Sequence, residues 1–186
     1  MKPFEESRDL AALCADFAPQ AQALLDACAS RDVRMRPFFT MRGPGVQAKL
    51  WCQSRTAAQI EKQIQSLRWA GAHWLAGLLD PTWAKTGPAV TNALPGMSWH
   101  QWGEAIDCFV LGEDGNAVWD ARHASYRVYA EEARKLRLEA GGLWLRFPDA
   151  VHVQLRQTSS PLKAGMSWAE VDAEMRRRFS PQSDSR

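Results

Sequence analysis

One seven-residue run, Ala105-Ile106-Asp107-Cys108-Phe109-Val110-Leu111, is apolar except for a single carboxylate. Its length and its aromatic and β-branched content make it a buried central strand. A chain built around such a strand has to deal with Asp107, because a buried carboxylate is costly unless it is paired or bound to a cation. Ser98, His100 and Gly103 stand just upstream, and Asp149-Ala150-Val151-His152 brings a second imidazole later in the chain. Neutral imidazole and ionised carboxylate are both competent zinc ligands. His100, Asp107 and His152 would close three corners of a tetrahedron and leave the fourth open, the mark of a catalytic zinc site rather than a structural one. Asp149, three residues before its histidine, is left over to handle protons.

Each residue also has a plainer reading. His100 alone suits a buried, hydrogen-bonded imidazole, Asp107 a strand-end aspartate, and the Asp149/His152 pair a loop accident. A rival to the second motif exists in Asp120-Ala121-Arg122-His123, thirteen residues beyond Asp107 in a polar stretch. The apolar strand setting of Asp149 and His152 favours the later pair, while the residues alone leave the rival open. His73, flanked by alanine and tryptophan in a helical stretch, is set aside as a packing or surface residue.

The pattern Ser98-x-His100-x-x-Gly103-x-Ala105-x-Asp107, followed by Asp149-x-x-His152, resembles the zinc peptidases of the D-Ala-D-Ala carboxypeptidase and L-alanyl-D-glutamate endopeptidase group. Phage endolysins and bacterial wall-remodelling enzymes belong to that group. The resemblance runs loosely over residues 20–155 and is tight at the two motifs. It implies Zn²⁺ on His100, Asp107 and His152, with Asp149 as general base. It also implies substrate contacts from Arg42, at the end of an early strand, and from Ser98. The implied fold is α+β, a small, mostly antiparallel sheet bearing the zinc site with helices packed around it, as in hedgehog and the D-Ala-D-Ala peptidases. The implied substrate is the peptide of bacterial peptidoglycan, with L-alanyl-D-glutamate endopeptidase activity first and D-Ala-D-Ala carboxypeptidase or dipeptidase activity as the alternative. Two other classes stay open: a non-catalytic wall-binding module of the same fold, and an interaction protein acting through residues 56–85.

The bulk numbers are those of an ordinary globular chain. With 186 residues, 46% apolar and 24% charged, one domain over residues 1–179 is expected, followed by a disordered tail at 180–186. A net charge of +2 suits an anionic wall but is too weak to argue nucleic acid. Many of the nine tryptophans are expected in core and rim packing. Cys14, Cys28, Cys52 and Cys108 form no CxxC pair and no disulfide framework, and are read as free thiols of a reducing compartment. The N-terminal residues lack the apolar run of a signal peptide, and no stretch reaches the roughly 20 apolar residues of a membrane span. A wall enzyme of this kind is expected to be made in the cytoplasm and released by a helper such as a holin.

Along the chain, residues 7–29 read as helix divided at Pro19, and Val33–Met41 as a strand whose Pro37 favours an edge or a bulge. Gly43-Pro44-Gly45 reads as a loop. Gln47, Leu50, Trp51 and Arg55 lie on a helix, and residues 56–85 form a helical insertion relative to the resembled family. Lys85–Gly96 is turn-rich. Glu113-Asp114-Gly115-Asn116 reads as a hairpin turn, and Ser125–Ala140 as a helix stopped by Gly141-Gly142. Val151–Leu155 alternates as a strand, and Ser167-x-x-Glu170 opens a last helix. Its Arg176-Arg177-Arg178 run is read as a solvated face.

Overall fold

A computed structural model describes residues 1–85 and 87–180. The chain divides into two compact units, one made of Ser7–Met41 and Trp102–Gln157, the other of Met1–Glu6, Arg42–Gln101 and Thr158–Arg186.

The first unit is built on the strand expected from its apolar run. After a short β1 (Glu6–Ser7), it contains α1 (Ala18–Ala29), β2 (Met35–Phe39), β4 (Ala105–Leu111), β5 (Ala117–Val118), α5 (Ala124–Lys135), β6 (Glu139–Ala140) and β7 (His152–Gln154). The sheet runs β2-β4-β7-β6, with β5 also on β4, and every pairing is antiparallel. Alternation along the strands sorts the side chains. Ile106, Cys108, Val110 and Val153 join the core with Phe17, Leu24 and Cys28 of the α1 region and Tyr126, Tyr129 and Ala133 of α5. The opposite parity carries Ala105, Asp107 and, through the pairings Asp107↔His152 and Ala105↔Gln154, both polar residues of β7. Asp107, His152 and Gln154 therefore share one sheet face. The sequence and structure thus agree on an α+β fold with a small antiparallel sheet.

The local chemistry explains most boundaries. Pro37 sits on edge strand β2, where its missing N–H costs least, and the register shifts between Pro37 and Phe39. The hairpin turn closes with the Gly112 N–H donating to the Asn116 carbonyl at 2.9 Å, and Gly115 takes φ +81°. Two expectations are corrected here. Pro19 lies in the first turn of α1, where an absent N–H is tolerated, so it opens that helix rather than dividing one. Helix α5 ends at Lys135, because Arg137 adopts φ +60° and the Leu138 N–H turns back to the Ala133 carbonyl at 2.9 Å. Gly141-Gly142 thus lies well beyond the helix.

The second unit is helical: α2 (Pro44–Cys52), α3 (Ala57–Trp69), α4 (His73–Ala76) and α6 (Trp168–Phe179), with β3 (Met41–Arg42) ending at its border. Gly43-Pro44-Gly45 is corrected from loop to helix start, Pro44 being accepted in the first turn of α2. The stretch expected to be helical from residue 56 folds as α3, α4 and a 3₁₀ turn at Pro81–Trp83. Both α3 and α6 open on complete capping boxes, Thr56/Gln59 and Ser167/Glu170. Ile60, Ile64, Leu67, Leu75, Val171 and Met175 are buried, and the buried Asp172 accepts from the Leu75 N–H at 2.7 Å. Ser180 closes α6, and residues 181–186, most of the expected disordered tail, lie outside the described residues. All four cysteines are free. No helix among the described residues is long and apolar enough to cross a membrane.

Candidate metal centre

Strands β4 and β7 bring Asp107 and His152 face to face. Asp107 Oδ1 lies 2.9 Å from His152 Nδ1, and both residues are buried. The other ring nitrogen, Nε2, is 3.1 Å from Gln154 Oε1. Burial pulls the His152 imidazole toward its neutral form, but the Asp107 carboxylate and Gln154 outweigh it and hold its pKa above the usual histidine value. His100 is on the 3₁₀ turn Trp99–Trp102 and is also buried. One ligand atom from each of His100, Asp107 and His152 falls within a set whose members all lie within 4.8 Å of one another. Two imidazoles and one carboxylate at that spacing make a donor set that fits a divalent cation of the zinc type.

The turn before β4 depends on Gly103. It takes φ +69°, and a Cβ there would stand 2.8 Å from the Cys14 nitrogen, which already donates to the Gly103 carbonyl at 2.9 Å. Ser98 opens the turn that carries His100, its carbonyl accepting from the Gln101 N–H at 3.0 Å.

Asp149 is exposed, and its backbone anchors the approach to β7. Its N–H donates to the Gly141 carbonyl at 2.9 Å, and its carbonyl accepts from the His152 N–H at 3.2 Å. Gly141 leaves no room for a side chain: a Cβ would lie 2.6 Å from the Asp149 carbonyl oxygen and 3.1 Å from His152 Cβ. Gly141→Ala is therefore expected to cost about 1–3 kcal/mol by overpacking, read as a lowered Tm, and to weaken metal binding by displacing His152.

Trp144 also supports this histidine. Its ring centroid is 5.3 Å from that of His152, and its indole N–H donates to Glu139 Oε1 at 2.7 Å.

Glu104, inside the first motif, has a structural job. The Arg156 guanidinium donates to its two carboxylate oxygens at 2.5 and 2.9 Å, and the Leu155 N–H donates to its carbonyl at 2.9 Å. This clamp fixes the end of β7 to the start of β4. Glu104→Gln should lower stability by about 1.5 kcal/mol in denaturant unfolding, the low end for a charged hydrogen bond because Arg156 is half exposed.

Arg42 is held within its own unit. Its Nη1 donates to Gln47 Oε1 at 3.3 Å, and its Nε is 3.9 Å from Glu6 Oε1. Fully buried Gln47 also donates to the Ala93 carbonyl at 2.8 Å, while Gln101 Oε1 accepts from the Gly96 N–H at 2.5 Å. These two glutamines pin the turn-rich segment that delivers the chain to Ser98.

The rival pair is occupied elsewhere. Asp120 is bonded to Arg122 at 3.0 Å, and His123 caps α5 with Nδ1 accepting from the Ser125 N–H at 3.3 Å. His73 is exposed in the first turn of α4. The sequence reading missed Gln101, Gln154 and the structural role of Glu104. For Gln154 the signal was available, since a residue two positions from His152 on a strand shares its face.

A family model described as VanY, D-alanyl-D-alanine carboxypeptidase, matches residues 11–151. The peptidoglycan L-alanyl-D-glutamate endopeptidase CwlK of Bacillus subtilis (strain 168) is 35% identical over 78 residues, a match covering 38% of this chain. That match spans 47%, about half, of the length of CwlK. The crystal structure of the Serratia marcescens L-Ala D-Glu endopeptidase ChiX aligns with 79% of this chain and 83% of its own, at 15% identity and a TM-score of 0.40.

Proposed function

We propose, since this chain belongs to the VanY D-alanyl-D-alanine carboxypeptidase family, that it is a zinc metallopeptidase hydrolysing the peptide part of bacterial peptidoglycan. The observation that carries this reading is the grouping of His100, Asp107 and His152. Three protein ligands of these types suit a catalytic zinc with one position left for the reaction. Zinc bound there supplies Lewis acidity and lowers the pKa of water toward neutrality. Asp149 serves as general base: its carboxylate takes a proton from the attacking water and returns it to the leaving amine. The Arg42 guanidinium pairs with a substrate carboxylate, and the Ser98 hydroxyl orients the peptide. Residues 1–179 make up the peptidase domain, with residues 56–85 as its helical insertion.

The favoured bond is L-alanyl-D-glutamate, cut in the role of a phage endolysin or a wall-remodelling enzyme. The match to an endopeptidase at 35% identity supports it. The description of the matching family model supports a second reading, removal of the terminal D-alanine. Mass spectrometry of products from purified peptidoglycan, with the zinc-loaded protein beside a chelated sample, decides between them. New L-alanine carboxyl ends and D-glutamate amino ends that vanish on chelation are expected. Free D-alanine would establish the carboxypeptidase. No metal-dependent product from any wall type would refute the enzyme and favour a wall-binding module.

A further inference from the structure

We infer that Trp119, with Phe38, Phe39 and Phe109, forms a subsite for the glycan strand and seats the muramyl sugar that carries the stem peptide. The inference rests on the peptidoglycan reading above and deepens it.

The rings lie on the sheet face that carries Asp107. Cys108 and Val110 turn into the core, so Phe109 has the parity of Asp107. Across β2 and β4, Phe39 pairs with Asp107 and Arg36 with Phe109. On the other side Val118 pairs with Val110, and the next residue, Trp119, comes beside Phe109 with ring centroids 5.4 Å apart. Phe38 joins the group, 4.9 Å from Trp119 and 4.2 Å from Phe39. None of the four belongs to the core, and Trp119 is 48% exposed. Its indole N–H meets no acceptor among the described residues. The Arg8 guanidinium lies over Phe38 at 4.9 Å, and Arg36 is exposed.

Exposed rings with an unmet N–H donor and flanking guanidinium groups suit a ligand that has an apolar face edged with oxygen acceptors. A pyranose is such a ligand. Its C–H bonds stack on the electron-rich ring face, while its hydroxyl and acetamido oxygens accept from the donors. A lipid tail would leave those donors without acceptors.

Distance ties the sugar to one scissile bond. From Asp107 to Phe109 is two residues of strand, roughly 7 Å. In peptidoglycan a lactyl ether joins L-alanine to the muramyl ring. One alanyl residue and that lactyl group separate the L-alanyl carbonyl from the sugar, about two residue lengths or roughly 7 Å. With the terminal D-alanine bond at the metal, the sugar would stand about five residue lengths away, roughly 17 Å. The rings therefore match the sugar of a chain cut at L-alanyl-D-glutamate.

The test compares two substrates of the zinc-loaded protein, a disaccharide-linked stem pentapeptide and the same pentapeptide without sugars. Wild type should favour the first about tenfold in kcat/KM. Trp119→Ala should abolish that preference, and Trp119→Phe, which keeps a ring, should retain most of it. The ratio of two substrates on one preparation does not depend on how much of a variant folds. Equal rates in wild type, or equal losses on both substrates in Trp119→Ala, would give the rings to the peptide or to the fold and overturn the inference. A second readout uses zinc-free protein. The Trp119 indole N–H resonance, assigned by its absence from Trp119→Phe, should shift on adding the disaccharide-linked peptide and stay in place with peptide alone. No shift would overturn the inference. A shift in protein that cleaves neither substrate would uphold the subsite and refute the peptidase.

Discussion

Asp107→Ala protein is expected to purify without zinc and to cleave wall peptide more than about a thousandfold more slowly than wild type. Asp107 is the single carboxylate in a donor set otherwise made of imidazoles. Removing it takes away both a ligand and the only negative charge offered to the cation. What remains is two histidines, too few to hold zinc at a site that keeps a position open. The same substitution also leaves buried His152 without the carboxylate 2.9 Å from its Nδ1. Breaking a buried charged pair from one side typically costs about 3–5 kcal/mol, so the fold should be checked by circular dichroism. Metal content by elemental analysis and kcat/KM on a defined wall peptide measure the prediction. A variant that retains one equivalent of zinc would remove Asp107 from the ligand set.

Asp149→Asn should separate chemistry from binding. Turnover is expected to fall about 10²–10⁴-fold, the usual contribution of a positioned general base, while zinc content and Tm stay near wild type. The expectation of unchanged stability comes from how residue 149 is built in. Its backbone makes two bonds, one to the Gly141 carbonyl and one from the His152 N–H, and asparagine keeps both. Its side chain is at the surface, where an isosteric change typically moves stability by less than about 0.5 kcal/mol. Kinetics at saturating peptide together with zinc analysis provide the check. Full activity in Asp149→Asn would assign the proton transfer to another group.

The parts of the molecule that were legible in advance are those governed by local chemistry. The apolar run at 105–111 announced β4, and its one carboxylate announced a partner, because burying a lone charge is too costly to be accidental. The capping box at Ser167 and Glu170 and the hairpin turn at 113–116 were readable for the same reason, since residues a few positions apart satisfy each other. Prolines misled, because the first helical turn and a break carry the same residue: Pro19 and Pro44 both open helices. The end of α5 was hidden in a left-handed turn at Arg137, a conformation with no marker when the residue is not glycine. Long-range pairing was the least visible. Nothing near Glu104 names Arg156, and nothing near Gly141 shows that its missing side chain makes room for Asp149 and His152. His100 and Asp107 could be paired in advance because they share one short motif. Gln154 was missed although strand alternation places it beside His152.

X-ray absorption at the zinc edge, on wild-type protein loaded with one equivalent of zinc, tests the central claim most directly. A first shell of two imidazole nitrogens and a carboxylate oxygen, with the remaining position taken by a light atom from solvent, is the predicted spectrum. Sulfur scattering, from any of the four free cysteines, or loss of the zinc on desalting would contradict the account.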